Sequence, residues 1–158
     1  MSYWLLKTEP TTFSVDDLAR APRRTTSWDG VRNYQARNML RDQMKRGDRG
    51  FLYHSSCEVP GIVGIVEIVK EGYPDASAFD RKNPHFDPQS ERAKPRWFVV
   101  DVKLERRLAR VITLEELRAH ARDELRALVL LRPGNRLSVM PVTEREWRFI
   151  LALEKTHA

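Results

Sequence analysis

The chain has 158 residues, of which 41% are hydrophobic and 32% charged, a balance typical of one folded domain and unlike that of a disordered or fibrous protein. No apolar run reaches the roughly 20 residues that a membrane span needs, and the N-terminus lacks the pattern of a secretory signal, so we expect a cytosolic protein with no membrane partner. The formal charge of +6 is compatible with a polyanionic partner, because clustered basic side chains displace counterions from phosphates.

In the first half of the chain, the pattern predicts three strands and two helices. Residues 3–7 form an aromatic and aliphatic run that predicts an opening strand. Ser14 followed by acidic residues predicts the N-terminus of a short helix. Apolar residues at helical spacing predict a second helix from Tyr34 to Gly47. Residues 50–55 and 62–69 are rich in aromatic or β-branched side chains and predict two further strands.

In the second half, residues 71–95 carry four prolines among polar side chains, which predicts a long surface loop. The elements expected after this loop are a strand, two short helices, a last strand and a final helix that buries Trp147. They are assigned to residues 96–104, a capping box at Thr113, residues 123–131, residues 137–140 and a start at Thr143. Without regular β-α-β alternation, this order predicts an α+β domain around a curved sheet or small barrel.

The sequence offers little for metal, cofactor or catalytic chemistry. His54 and Cys57 could supply two zinc ligands, but Cys57 is the single cysteine and the other histidines are scattered. We therefore expect no metal, and because no glycine-rich phosphate loop or dinucleotide fingerprint is present, we expect no nucleotide cofactor either. His54 and Ser55 could be read as base and nucleophile, yet neighbours on a strand point to opposite faces. We therefore expect one of them to line a pocket.

Residues 28–38 concentrate aromatic rings, planar amides and guanidinium groups. A nucleobase offers two faces for stacking and a hydrogen-bonding edge, and these side chains match both features. The alternative is an ordinary turn and helix start, and residue types alone favour it. For Trp28 alone, composition likewise favours a core role over a stacking role.

Several long motifs resemble those of the EVE domain family, within the PUA-like superfamily that also includes YTH and ASCH domains. The resemblance covers nearly the whole chain, with the motifs in one order. They occupy residues 3–10, 28–38, 51–55, 60–64, 70–75, 87–88, 96–97, 100–102 and 136–142. Small departures at Met39, residues 84–86, Asn135 and Met140 bear on the identity of the base more than on the fold.

The resemblance implies a PUA-like fold, in which a strongly curved mixed β-barrel is flanked by short helices in a single domain spanning 1–158. It also implies a pocket for a flipped, modified nucleobase, since YTH domains cage methylated adenine and EVE domains are associated with modified cytosine in DNA. The predicted function is non-enzymatic binding of a modified base in DNA or RNA, with modified cytosine in DNA favoured, by a monomer. Alternatives are an enzyme acting on a modified base or nucleotide, an RNA-binding module, or a small-molecule or protein-interaction module.

Extruding a base from its stack costs a few kcal/mol, and stacking on an aromatic ring returns roughly 1 to 3 kcal/mol. We expect Trp28 to supply the stacking wall and Asn33 to read the base edge, with Tyr34 lining the same pocket. Other contacts must supply the remaining free energy. Polar contacts at strand ends are predicted for His54, Ser55 and Ser138, and phosphate or carbonyl contacts for Lys7, Arg32 and Arg136.

Overall fold

The computed structural model describes residues 1–156, so the last two residues of the predicted domain lie outside the described range. Six strands form one mixed sheet. They are β1 (Tyr3–Thr8), β2 (Thr25–Ser27), β3 (Arg49–His54), β4 (Gly61–Pro74), β5 (Phe98–Thr113) and β6 (Val139–Val142). Their order is β2-β5-β4-β3-β1-β6. β1 and β3 run parallel, and every other neighbouring pair is antiparallel.

Four short helices pack around the sheet. They are α1 (Val15–Arg20), α2 (Tyr34–Asn38), α3 (Leu114–Arg118) and α4 (Glu144–Glu154), with α2 continuing into a π-helical turn at Met39–Gln43. The helix predicted over residues 123–131 is wrong. Leu125 and Leu128 are buried by consecutive turns that lead into a 3-10 turn at Val129–Leu131, so the apolar spacing is satisfied without a helix. In the part of the chain described, no helix has both the length and the apolar character needed to cross a membrane.

The core confirms the inward position predicted for Trp147. Its ring is stacked against Tyr3 and Phe51, with centroid distances of 4.6 and 3.9 Å. A capping box joins Thr143 to Glu146 at the start of α4, as the sequence predicts. Because the cap fixes where α4 begins, it also fixes which face of α4 meets the sheet.

β5 is much longer than the strand predicted over residues 96–104. Its second half carries exposed charged side chains, which hid the alternation that identifies a strand. Arg106 in this half pairs with Glu154 of α4 at 2.9 Å, and the backbone remains paired with β4 through several register shifts. Bulges of this kind bend and twist a sheet, so they account for its curvature.

The predicted α+β architecture around a curved mixed sheet is confirmed, but the sheet is not closed into a barrel. β2 and β6 form its two edges, and no backbone pairing joins them. These edge strands have only three and four residues, too few to complete a hydrogen-bonded seam. A cavity lies at the opening between them.

Candidate functional site

A cavity of about 370 Å³ lies at the open side of the sheet. This volume is at the small end of the roughly 300–1,000 Å³ range of small-molecule sites. Its walls come from the end of β1 and the following loop, the end of β2 and the following turn, and two isolated positions. The lining residues are Lys7, Thr8, Glu9, Thr12, Phe13, Thr26, Ser27, Trp28, Asp29, Gly30, Val31, His85 and Ser138.

The turn from Trp28 to Gly30 forms one wall and is fixed by its backbone. The Trp28 N–H donates to the Val100 carbonyl at 2.8 Å, and Trp28 as a whole residue is only 8% exposed. Most of the ring therefore belongs to the core, and the remainder faces the cavity. Gly30 has φ +79°, and a Cβ there would lie 2.6 Å from His85 Nε2. Only glycine satisfies both the left-handed backbone and this close approach.

Asp75 holds this wall in place from the loop that follows β4. Its side chain is 1% exposed and accepts hydrogen bonds from Gly30 N at 3.0 Å, Arg32 Nη1 at 3.0 Å, Ser77 N at 2.9 Å and Ser77 Oγ at 2.6 Å. Burial opposes ionisation, but the hydrogen bonds from Ser77, Gly30 and Arg32 outweigh it and hold the pKa of Asp75 below its usual range. Asp75 is therefore a buried carboxylate with well-satisfied oxygens.

Arg32 has a structural role that corrects the predicted contact with ligand or phosphate. Its five N–H donors are all directed at protein acceptors. These acceptors are the Val31 carbonyl, the Asp75 carboxylate, the Ser77 hydroxyl and, twice, the His85 carbonyl. Because no donor remains for a phosphate, Arg32 clamps the His85 segment of the long loop against the cavity.

Two charged groups in the cavity have shifted pKa values. Burial lowers the pKa of the Lys7 ammonium. Desolvation raises the pKa of the Asp29 carboxyl, and the negative charge of Asp75 raises it further, against smaller opposing effects of His85 and Arg32. Such shifts are typical of ligand-binding and catalytic sites.

Asn33 and Tyr34 lie outside the cavity, which corrects their predicted roles. The Asn33 side-chain oxygen accepts from Ala36 N at 3.0 Å and caps α2. Tyr34 is 52% exposed and stacks on Trp97 at 5.0 Å, while the Arg37 guanidinium lies 5.0 Å from the Tyr34 ring. These aromatic and amide groups therefore stabilise the helix start, which is the ordinary alternative considered for this stretch.

His54 and Ser55 are also absent from the cavity lining. His54 Nε2 accepts a hydrogen bond from Val15 N at 3.0 Å and so caps α1. Burial lowers the pKa of His54, and the nearby Asp16 carboxylate opposes that shift. Ser55 uses its backbone N–H to bond the Thr8 carbonyl at 2.9 Å. Parallel pairing places Thr8 beside His54, and it is Thr8 that reaches the cavity.

The structure brings together Lys7, Trp28 and Ser138 from the predicted set. The backbone carbonyl of Ser138 accepts a hydrogen bond from the Lys7 backbone N–H at 2.7 Å, which holds the two residues on one wall. Asp29 and Gly30 were missed as site residues although they lie inside the motif that marks the stretch. His85 was missed because nothing in its local sequence indicates that it packs on Gly30. Among residues 1–156, no three His, Cys, Asp or Glu side chains are grouped as a metal site requires.

Two further grooves carry basic side chains. One, of about 420 Å³, shares Lys7 with the cavity and includes Arg118 and Arg132. The other, of about 510 Å³, shares Arg132 with the first groove and includes Arg136. None of these three arginines has a carboxylate within 4.0 Å in the described part of the chain. We call Lys7, Arg118, Arg132 and Arg136 the basic rim.

The chain matches the EVE domain family model over residues 2–153. It is 46% identical to mouse Thymocyte nuclear protein 1 in an alignment of 170 positions that covers 98% of this chain and 74% of the relative. Its structure resembles that of human THYN1 protein in complex with 5-methylcytosine-containing DNA, with a TM-score of 0.96, 44% identity and full coverage of both chains. A protein from Pseudomonas syringae gives a TM-score of 0.90 and 46% identity, with 97% of this chain and 99% of that one covered.

Replacing Arg32 tests the clamp. Arg32→Ala should lower the free energy of unfolding by on the order of 3 kcal/mol, because it leaves the buried Asp75 charge without its cation. Arg41→Ala is the control, since Arg41 is exposed and its ion pair is with its neighbour Asp42, and it should change stability by less than about 0.5 kcal/mol. Urea denaturation measures both variants. Equal stability of the two would contradict the clamp.

The pH dependence of stability tests the His54 cap. Because the folded-state pKa of His54 is lowered, the unfolded chain takes up the proton first as the pH falls. Its contribution is therefore complete above the unfolded pKa of about 6.5 and declines as the pH falls through the folded pKa. His54→Gln can still accept the Val15 N–H without titrating, so it should flatten the stability profile as the pH falls below the unfolded pKa of about 6.5.

The control for this profile is His120→Gln, because His120 lies 3.8 Å from the Glu124 carboxylate and caps no helix. Denaturant unfolding is measured for both variants and the unmodified chain at each pH. The slope should persist in His120→Gln. A slope in His54→Gln as steep as that of the unmodified chain would rule out the cap as its source.

Proposed function

The chain belongs to the EVE domain family, and from this we propose that it binds a modified nucleobase in nucleic acid, extruded from its stack into the cavity beside Trp28. DNA carrying a modified cytosine is the favoured partner, because the similar human protein is described in complex with 5-methylcytosine-containing DNA. The observation that carries the proposal is the cavity itself. It combines an aromatic wall, polar groups from two strand ends and an adjoining basic surface.

The cavity suits a single base. Trp28 offers part of a ring for stacking, and Phe13 and Val31 offer apolar surface for a methyl group. Lys7 and Asp29 supply one positive and one negative group toward the base edges or its phosphate. Because the wall is fixed before any ligand arrives, little ordering free energy is lost on binding.

The basic rim supplies the second part of the interaction. Arginines without acidic partners are free to neutralise phosphates, and that contribution is independent of sequence. It offsets the free energy that base extrusion costs, which the cavity alone would have to recover. The rim also favours a nucleic-acid partner over the small-molecule or protein-interaction alternative, because a site for a neutral partner would not need unpaired cations beside it. RNA would satisfy the same rim, so matched RNA belongs in the test.

We propose that one copy of the chain suffices, since all the cavity walls come from a single chain. The monomeric state and the cytosolic location expected from the sequence stay predictions. Size-exclusion chromatography with light scattering, in the presence and absence of DNA, measures the first directly.

Catalysis on the extruded base is the second candidate, and one observation favours it. Lys7 and Asp29 line the same cavity, and their pKa values are shifted towards each other by burial, a pattern that also occurs in acid–base chemistry. Burial accounts for both shifts without a reaction, so we place binding first. Product analysis of a modified oligonucleotide after long incubation with the protein separates the two, since an altered or released base would establish turnover.

The proposed function predicts a preference for the modified base. At stated salt, the chain should bind an oligonucleotide containing 5-methylcytosine about tenfold more tightly than the unmodified one, the scale expected for one methyl group in an apolar pocket. Fluorescence titration with matched DNA and RNA measures this ratio. Equal affinity for modified and unmodified strands would refute the proposal.

The cavity can be filled without removing a core residue. Ser27→Trp places a ring in the cavity from an exposed position at the end of β2. It should abolish the preference for the modified base while retaining salt-dependent binding to DNA. Ser2→Trp, at an exposed position before the opposite end of β1, is the matched control and should behave as the unmodified chain.

The basic rim predicts a salt effect. Replacing both Arg132 and Arg136 by alanine should reduce the slope of log affinity against log salt by about 2, since each phosphate contact contributes about 0.9. Affinity for modified and unmodified DNA should fall by the same factor. Arg148→Ala, which removes an exposed arginine paired with Glu144, should leave the slope unchanged. An unchanged slope in the double variant would show that phosphates are held elsewhere.

A further inference from the structure

The cavity must distinguish bases by more than a methyl group. Thymine carries the same 5-methyl group as 5-methylcytosine and occurs throughout DNA, so a methyl-sensing pocket alone would be occupied by the wrong base. The two differ at one edge, where cytosine has an N4 amino donor and thymine has an O4 acceptor. A base-binding cavity of the kind proposed above therefore needs a group that accepts from an amino donor and repels a carbonyl oxygen.

We propose that the Asp29 carboxylate is this group, and that it selects an amino-bearing base over a keto base. This inference rests on the proposed function and specifies which base edge the site accepts. Asp29 directly follows Trp28 and lines the same cavity, so a base against the Trp28 ring would present its edge near Asp29. Carboxylates accept from cytosine N4 in direct base recognition.

The position of Asp29 is fixed on both sides. Trp28 N is bonded to the Val100 carbonyl at 2.8 Å, and Gly30 N to the Asp75 carboxylate at 3.0 Å. Asp29 N itself donates to the Ser27 carbonyl at 3.1 Å, which closes a tight turn. A recognition group anchored in this way loses little freedom when a base binds.

Asp29 lacks the partners that its neighbour has. Asp75 accepts from Gly30, Arg32 and Ser77, and the guanidinium of Arg32 has no N–H left to donate. No other described residue donates a hydrogen bond to the Asp29 carboxylate. Its raised pKa has the same origin, because the negative charge is partly desolvated and lies near Asp75. Asp29 is exposed in the cavity wall, so its carboxylate is open to a ligand, and an amino group of a bound base could donate to it.

Asp123 is an exposed aspartate that does not line the cavity and does not adjoin the Trp28 turn in the chain. This makes Asp123→Asn a matched control for Asp29→Asn, since each replaces one aspartate carboxylate by its amide. An amide at position 29 can donate to O4 as well as accept from N4, so it should tolerate both bases.

The experiment compares 5-methylcytosine, cytosine and thymine at one position of a duplex, each opposite an abasic site so that base pairing does not differ. The unmodified chain should bind 5-methylcytosine about tenfold or more tightly than thymine, the scale of a good edge contact. In Asp29→Asn, the affinity for thymine should rise to within about threefold of that for 5-methylcytosine. A ratio of affinities this small would show that the variant no longer reads the base edge. Asp123→Asn, outside the cavity lining, should keep the full discrimination. Asp29→Asn should also unfold at the same temperature or higher, because it removes a charge that Asp75 repels.

The outcomes separate this inference from the function it rests on. If the unmodified chain prefers 5-methylcytosine to cytosine but binds thymine equally well, Asp29 is not the edge reader and the proposed function survives. If Asp29→Asn keeps the discrimination against thymine, or loses all binding together with thermal stability, the inference is overturned. If the unmodified chain shows no preference among the three bases, the proposed function fails as well.

Discussion

The buried carboxylate of Asp75 is the interaction on which the candidate site depends. It joins two parts of the chain that are distant in sequence, residues 30–32 and 75–77, because it accepts hydrogen bonds from the Gly30 backbone, the Arg32 guanidinium and Ser77. In a region of low dielectric these charge-assisted bonds are strong, and a missing partner would be costly. The long loop after β4 is therefore part of the cavity, since Arg32 also holds the His85 carbonyl. The wall around Trp28 keeps its shape because this network is fully satisfied.

The open sheet explains where the cavity lies. A closed barrel would fill its interior with side chains, whereas here the short edge strands β2 and β6 leave a gap. Polar groups from strand ends can face that gap without disturbing the core, and edge strands this short expose little unpaired backbone. The same gap adjoins the basic rim, so a strand of nucleic acid lying on the rim would bring one base to the cavity. The shape of the cavity and the charge of the basic rim therefore both favour a nucleic-acid partner.

Two aspartates close together in this site have opposite environments. Asp75 is buried, surrounded by donors and held ionised, while Asp29 lines the cavity and accepts no hydrogen bond from any other described residue. The satisfied carboxylate raises the pKa of the other because like charges repel. Repulsion of this kind costs some stability in the free protein, and a ligand with an amino group would relieve it. Binding sites commonly retain such local costs, since optimising stability alone would remove them.

The sequence by itself determined the family, the α+β class, the caps of α1 and α4 and the inward position of Trp147, and it predicted three residues that the structure places in one cavity, Lys7, Trp28 and Ser138. Those features depend on local patterns, such as a capping serine followed by acids, or on long motifs that survive in one order. The tertiary structure decided the rest. Asn33 and His54 became helix caps, and Arg32 found its partners 43 to 53 residues away. Such contacts depend on strand register and loop path, which the residues beside Arg32 in the sequence do not encode. Asp29 acquired its distinctive charge environment for the same reason, since Asp75 reaches it only in the folded chain.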